Sequence, residues 1–337
     1  MPPTMADIAK RAGVALSTVS YTLSGKRPIS DEAKQKVYQA MQELGYHPNS
    51  LARALATKRT KIIALLYPSW ATGLGPQMEF VTSIAASATD QGYALLLWTA
   101  VSEEQEVLNM THHGFIDGAI LMEVALQDPR IPLLQKQNLP FTMIGHCQDD
   151  QGLSFVDLDF DYALETSISY LLEAGHTQIA LINQSASLLE RETGYVVRSR
   201  DAYYREMQKH GFQGLDRCCE PNEQAGYEVM TDLLTHHPDL SAFILLTPWI
   251  SGGIIRAIAD KGLSIPGDIS LVAVFSPMLA QMTTPALTSI DFPFEEMGHL
   301  GTQLLIQQLE DADAPLSQLF IKPPLTIRAS SGPFHKR

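Results

Sequence analysis

The sequence predicts an α/β protein with a small all-α head and a larger body of two parallel-sheet subdomains. Three observations carry that prediction. Apolar residues recur at helical spacing in three short segments within the first 45 residues. From Lys61 onward, short apolar runs alternate with amphipathic helical stretches, the pattern of buried parallel strands joined by helices. Charge divides at the same place: residues 1–61 hold ten Lys/Arg against four acids, a net +6, and the remainder holds 14 against 33, a net −19. A basic module on an acidic body is the electrostatic footprint of a chain that meets nucleic acid with one end.

The first helix opens at Thr4, with Asp7 three residues on, a capping-box spacing. Ile8, Ala9 and Ala12 form its apolar stripe, and Gly13 ends it. A second short helix covers residues 14–23. Val19 and Leu23, four apart, point inward and leave Leu16, Ser17, Ser20 and Tyr21 outward. A helix that exposes small polar side chains and one large ring is a poor core element. It suits the major groove of DNA, where helix-turn-helix proteins lay their second helix. Taken singly it would pass for part of an ordinary helical cap; the basic charge around it decides for DNA. Residues 24–28 make a basic turn, and Ser30 caps a third helix with Asp31 and Glu32 in its first turn. Val37, Met41 and Leu44 line the core face of that helix, and Gly45 supplies its stop. Residues 46–60 are basic and helix-capable but too poor in apolar positions to pack alone, so they read as a linker that folds on a partner.

In the body, residues 62–67, 93–98, 118–122, 141–144, 155–158, 178–182, 242–246 and 270–275 read as strands. Residues 76–91, 103–113, 130–138, 161–174, about 197–210, 223–236 and 252–261 read as helices between them. A late helix at 295–310 and a closing strand over 319–328 indicate that the chain recrosses between two sheets.

Several functions are disfavoured. No apolar run reaches the ~18 residues of a membrane helix, and the N-terminus lacks a signal-peptide apolar region. The three cysteines, Cys147, Cys218 and Cys219, form no disulfide framework and fit a reducing, cytoplasmic compartment. His112-His113 and His236-His237 are adjacent pairs whose side chains diverge on a helix, unlike an i, i+4 metal pair, so no metal or other cofactor is expected. Nucleotide-binding and nucleophile-elbow motifs are absent, although Glu123, Asp157 and His146 are of the types that serve acid–base chemistry. The chain is not expected to be an enzyme.

Longer motifs add a resemblance. Asp7-Ile8-Ala9-Lys10-Arg11-Ala12-Gly13-Val14 precedes Ser17-Thr18-Val19-Ser20, and Leu44-Gly45-Tyr46-His47-Pro48-Asn49 runs into Ser50-Leu51-Ala52-Arg53-Ala54-Leu55. The body adds Glu173-Ala174-Gly175-His176, the run from Gly262 to Ser270, and Leu287-Thr288-Ser289-Ile290. In this order they resemble the LacI/GalR family of bacterial repressors across essentially the whole chain. The resemblance implies a helix-turn-helix DNA-binding domain at 1–46, a hinge helix and linker at 47–60, and an effector-binding and dimerisation domain at 61–337. It gives the body a periplasmic-binding-protein-like fold, with an N-subdomain of about 61–159 plus 292–318 and a C-subdomain of about 160–291 plus 319–330. The implied partners are double-stranded operator DNA, a small sugar-like effector and a second copy of the chain, with a tetramer left open and no membrane.

Lys10, Arg11, Lys26 and Arg27 suit phosphates, which set affinity and register without reading sequence. Base edges fall to Leu16, Ser17 and Tyr21, flanked by Thr4, Thr18 and Ser20. Many relatives carry Arg where Tyr21 stands, and Tyr21 cannot reproduce a bidentate grip on guanine. On the hinge, Asn49, Ala52 and Arg53 accompany Leu55, which occupies the family's minor-groove wedge position. For the effector, the rule that ligands sit beyond the carboxyl ends of parallel strands selects Trp70, Glu123, His146, Thr247, Trp249 and Phe275. The resemblance adds Phe294 and a sugar-binding arginine at Arg200, with Arg198 equally close by register. Relatives usually have Asn-Asp at Thr247-Pro248 and Asp at Phe275. The expected cleft is therefore rich in aromatic faces and poor in carboxylates, suited to a sugar or glycoside, with a nucleoside as the alternative.

Overall fold

A computed structural model describes residues 3–24, 27–46, 59–68, 78–99, 114–311 and 313–335. The chain divides into two compact units: Met1–Ile62 with His113–Asp117, and Ile63–His112 with Gly118–Arg337.

The head holds three helices: α1 (Met5–Ala12), α2 (Leu16–Ser24) and α3 (Asp31–Leu44). Thr4 and Asp7 close a reciprocal capping box, with the Thr4 amide donating to Asp7 Oδ2 at 2.8 Å. Gly13 and Gly45 end α1 and α3 in the left-handed region, at φ of 65° and 61°. Ile8, Val19, Val37 and Ala40 are buried together, with Met5, Leu23, Met41 and Leu44 packed around them. So small a core leaves the head only marginal stability of its own.

The body contains two six-stranded sheets. The first runs in the order β11-β5-β4-β3-β1-β2, from β1 (Ile62–Leu66), β2 (Ala94–Trp98), β3 (Gly118–Leu121), β4 (Phe141–Ile144), β5 (Phe155–Leu158) and β11 (Gln318–Ile321). The second runs β12-β10-β9-β8-β6-β7, from β6 (Ile179–Asn183), β7 (Leu215–Cys218), β8 (Ala242–Leu245), β9 (Ser270–Phe275), β10 (Thr288–Asp291) and β12 (Leu325–Thr326). The register is parallel where Ile63 faces Gly118 and where Ala242 faces Ser270; β12 is antiparallel to β10. The strands β8 and β9 are wholly buried because helices cover both faces. Phe243, Leu245, Leu271 and Phe275 pack on one side with Ile250 and Ile254. Ile244, Val272 and Val274 pack on the other with Ile168 and Tyr203. No described helix is long and apolar enough to cross a membrane.

Three features depart from the sequence reading. The expected closing strand over 319–328 is two strands in different sheets, split at Lys322-Pro323-Pro324. Proline has no amide to donate to a ladder, so pairing stops there and the chain crosses over. The return to the second sheet therefore follows Ile321, and residues 319–321 belong with the first sheet. Strands β7 and β10 were not anticipated. β7 is a half-buried edge of mixed polarity, and β10 is short and carries Thr, Ser and Asp. The expected helix over 103–113 and most of the linker lie outside the described residues.

One close approach governs packing in the second subdomain. The helices Glu223–His236 and Ser251–Asp260 meet at Gly253, where an added Cβ would fall 1.8 Å from the Glu223 carbonyl oxygen. A backbone atom cannot swing aside as a side chain can. Gly253→Ala is expected to lower stability by about 1–3 kcal/mol in urea titration. An unchanged midpoint would mean the helices separate freely.

Candidate nucleic-acid interface and ligand cavity

On the head, α2 presents Leu16, Ser17 and Ser20 to solvent, and Leu16 is 52% exposed. Thr4 and Arg27 are also exposed. Thr18 and Tyr21 are half-buried: the Thr18 carbonyl accepts from Thr22 Oγ1 at 2.8 Å, and the Arg27 guanidinium lies 5.3 Å from the Tyr21 ring centroid. Tyr21, expected on the outward face, stands there partly under Arg27. Arg11, expected at phosphates, forms an ion pair with Glu43 across the head. Lys26, Asn49, Ala52, Arg53 and Leu55 lie outside the described residues.

In the body, the carboxyl ends of strands from both sheets enclose a cavity of about 130 Å³. At roughly 10–15 Å³ for each water, that is room for about ten waters, the scale of one small ring compound. Met122 and Glu123 follow β3, Gly145 follows β4, and Asp157 sits within β5. From the second sheet come Gln184 after β6, Thr247 and Trp249 after β8, and Phe275 at the end of β9. The helix Gly194–Lys209 adds Tyr195 and Arg198. Aromatic rings make much of the wall. Phe292 and Phe294 stack with centroids 4.3 Å apart, and Phe80 meets Phe294 edge-on at 4.7 Å.

Five of the residues selected from sequence line this cavity: Glu123, Thr247, Trp249, Phe275 and Phe294. Trp70 lies outside the described residues. His146 stands behind the wall, with Nδ1 2.7 Å from Asp157 Oδ2 and its ring stacked on Phe155 at 4.8 Å. Arg200 is elsewhere: its Nε lies 3.5 Å from Asp216 Oδ2, and its side chain is 41% exposed against 21% for Arg198. Side chains two apart on an α-helix diverge by about 200°, so only one of the two arginines can face the cavity. Of the two arginines that the resemblance left open, Arg198 is the one that faces the cavity.

Two ion pairs organise the rim. Arg198 donates through one terminal nitrogen to Asp157 Oδ2 at 3.1 Å and to the His146 carbonyl at 3.0 Å, and the Leu158 amide donates to Asp157 Oδ1 at 2.8 Å. Arg130 is buried against Asp128, with contacts of 2.9 and 2.7 Å, and donates further to the carbonyls of Leu66, Met122 and Glu123. It thereby ties the ends of β1 and β3 together. Glu123 has left-handed backbone, φ 53°, a strained conformation for a side chain of that size. Burial pushes its carboxyl up to about 7, opposed by hydrogen bonding from Tyr195 and by the charge of Arg130. Burial, and then the charge of Glu123, push the Tyr67 hydroxyl upward too. Tyr67 Oη, Glu123 Oε2 and Arg198 Nε have no hydrogen-bond partner among the described residues.

The wall is aromatic, but it also holds two carboxylates, Glu123 and Asp157, where few were expected. Asp157 left a usable trace in the sequence, as a charge inside the apolar run Phe155-Val156-Asp157-Leu158. Tyr67, Tyr195 and Phe292 left none, since nothing distinguishes them from core aromatics. Among the described residues no group of three or more His, Cys, Asp or Glu is placed to hold a metal ion. Burial pushes the Cys219 thiol up to about 11 and raises those of Cys147 and Cys218, the reverse of thiol activation.

Residues 4–49 match the family described as bacterial regulatory proteins, lacI family, and residues 168–331 match the periplasmic binding protein-like domain. The chain belongs to the LacI family. As a LacI-family protein it is a DNA-binding transcriptional regulator with an effector-binding domain. It is 29% identical over 347 residues to the HTH-type transcriptional repressor PurR of Erwinia tasmaniensis, covering 98% of each chain. It is 24% identical over 327 residues to catabolite control protein A of Priestia megaterium, covering 95% of this chain and 97% of that one. These relatives are regulators, not enzymes. The LacI-family fold is shared with the lac repressor dimer bound to operator and the anti-inducer ONPF, at TM-score 0.85, 22% identity and coverage of 98% and 99%. It is shared as well with the transcriptional regulator CelR–cellobiose complex, at TM-score 0.73, 23% identity and coverage of 98% and 100%. Regulators of the family bind operator DNA and small-molecule effectors and act as dimers.

Proposed function

We propose that this regulator is a cytoplasmic repressor. In this reading, a homodimer holds a pseudo-palindromic operator, and a small ring-bearing effector, a sugar or glycoside, sets its affinity from the cavity. The observation that carries the effector assignment is the cavity wall: stacked aromatic faces beside unpartnered polar atoms on Tyr67, Glu123 and Arg198. Sugar rings offer apolar faces to such rings and hydroxyls to such atoms. A cellobiose complex on the same fold supports the sugar reading. The stacked pair Phe292–Phe294 also suits a flat base, which keeps a nucleoside as the second reading. On the DNA side, the exposed face of α2 would read base edges, with Thr4, Ser17 and Ser20 as hydrogen-bonding groups and Leu16 against a thymine methyl. The hinge residues Asn49, Ala52, Arg53 and Leu55 would enter the minor groove, and Lys26 and Arg27 would hold phosphates.

Two measurements test this. Selection from random DNA is expected to return two-fold symmetric sites whose affinity falls steeply with salt. Asymmetric sites, or none, would remove the dimeric operator reading. Thermal-shift screening of sugars, glycosides and nucleosides should find a ligand that raises the melting temperature with ln(1 + [L]/Kd). A hit among nucleosides and none among sugars would replace the first effector reading with the second.

A further inference from the structure

Among the described residues lining the cavity, three carry formal charge: Glu123, Asp157 and Arg198. Asp157 and Arg198 answer each other at 3.1 Å. Glu123 has no such answer. The cation beside it, Arg130, is committed to Asp128 through contacts of 2.9 and 2.7 Å and to three backbone carbonyls. Tyr195 serves the Glu123 carboxyl with a hydrogen bond, yet Oε2 has no partner among the described residues although Glu123 is only 9% exposed. An unmatched buried carboxyl is an expensive feature that a merely structural role does not require.

The backbone holds this carboxyl in place. Arg130 binds the Glu123 carbonyl at 3.3 Å, the Gly194 amide donates to Val124 at 2.8 Å, and Leu126 donates to Glu192 at 2.8 Å. Ala125 and Thr193 form a bridge beside them. The Glu123 backbone is thus held in its left-handed conformation, and from there its side chain is buried in the cavity wall. The same cavity wall carries the aromatic rings of Tyr67, Phe80, Tyr195, Phe292 and Phe294. A carboxylate among π faces is the chemistry that receives an ammonium group, through one charge-assisted hydrogen bond and cation–π attraction from the rings.

We propose that the effector carries an amino group, bound as an ammonium ion on Glu123 among these rings. The proposal rests on the reading of the cavity as the effector site and narrows its ligand to an amine-bearing ring compound, such as an amino sugar. The free Nε–H of Arg198 then donates to an oxygen of the same ligand. The proton balance is simple. A ligand arriving as an ammonium ion displaces whatever proton Glu123 holds; one arriving as a free amine takes that proton with no net change, or takes one from solvent where Glu123 is already ionised.

Matched pairs test this on the full chain: glucose and glucosamine, benzyl alcohol and benzylamine, uridine and 5′-amino-5′-deoxyuridine. Binding of each is read by thermal shift and then by calorimetry at neutral pH. The amine of at least one pair is expected to bind about ten- to a hundred-fold more tightly than its neutral partner. Glu123→Gln should abolish that preference while still showing a cooperative melting transition. The wild-type comparison needs no variant, so it decides even if Glu123→Gln does not fold. Neutral partners binding as tightly as amines, or a preference that survives Glu123→Gln, would overturn the proposal. A panel in which only neutral sugars bind overturns the amine assignment and leaves the sugar reading standing. Benzylamine binding without any sugar or nucleoside does the reverse. Silence from every probe overturns both.

Discussion

Arg198→Ala is expected to destabilise the body by about 3–5 kcal/mol, whereas Arg200→Ala, two residues along the same helix, should stay within about 0.5 kcal/mol. The difference lies in what each arginine leaves behind. The Asp157 side chain is 4% exposed, and Arg198 is the guanidinium that answers its charge. Removing Arg198 strands that carboxylate inside the protein with the Leu158 amide and the His146 ring as its remaining partners. Arg200 is 41% exposed on Asp216, where water replaces the lost contact and screening weakens the pair from the start. Urea titration of the two variants checks this, with the midpoint read at constant slope. Effector binding should follow the same order, lost in Arg198→Ala and retained in Arg200→Ala. Equal losses would mean that the ion pair with Asp157 contributes nothing beyond a surface contact.

The second large effect is on pH dependence. Burial pushes the Glu123 carboxyl from its ordinary 4.5 to about 7, with Tyr195 and Arg130 opposing the shift. Between those values the folded protein holds a proton that the unfolded chain has released. The Glu123 contribution is therefore fully present below about pH 4.5, declines as pH rises, and is gone above about pH 7. Its size, from 2.5 units at 1.36 kcal/mol each, is about 3 kcal/mol. Asp128 acts in the other direction but in a lower range: although burial raises it, hydrogen bonds and charge from Arg130 hold it below the usual 3.8. Glu123→Gln should flatten the decline and be more stable than the parent protein at pH 8. Melting temperatures of both proteins from pH 4 to 8 decide the matter. Parallel profiles would show that Glu123 ionises as readily in the fold as out of it.

Much of the architecture could be read from apolar periodicity, because parallel strands buried on both faces leave near-continuous apolar runs such as Ile62–Leu66 and Ser270–Phe275. Edges were harder to see. β7 is half-buried and contains Asp216 and Arg217, so it lacks that signature. The two closing strands read as one because a pattern of apolar residues does not say which sheet they join; the prolines between them mark only the break. In the site, strand-end reasoning reached Glu123, Thr247, Trp249 and Phe275, because the carboxyl end of a parallel strand is a position that sequence defines. Helical phase is not defined so directly. Two arginines two apart face different ways on one helix. Which of them meets the cavity depends on how the helix is rolled against its neighbours, so the resemblance left Arg198 and Arg200 both open. Pairing was equally hidden. That a cation pairs with Asp157 but not with Glu123 depends on a contact 41 residues apart in the chain for the first, while the second has the Tyr195 hydroxyl alone and leaves Oε2 without a partner among the described residues.

The split of the closing segment bears on how the chain is made. β5 gains β11 as its outer neighbour only when residues 318–321 are in place, and β10 gains β12 only with residues 325–326. During synthesis, β5 and β10 therefore stand as the outer strands of their sheets until residues 318–326 emerge. Such edges are templates for pairing with another chain. Residues 318–326 thus replace two well-buried outer strands by two poorer templates: β11 is partly exposed and β12 is only two residues long, and these become the outer strands. A nascent chain halted just short of them would keep almost all of its core and present the buried strands β5 and β10, rather than β11 and β12, as open edges to every copy nearby.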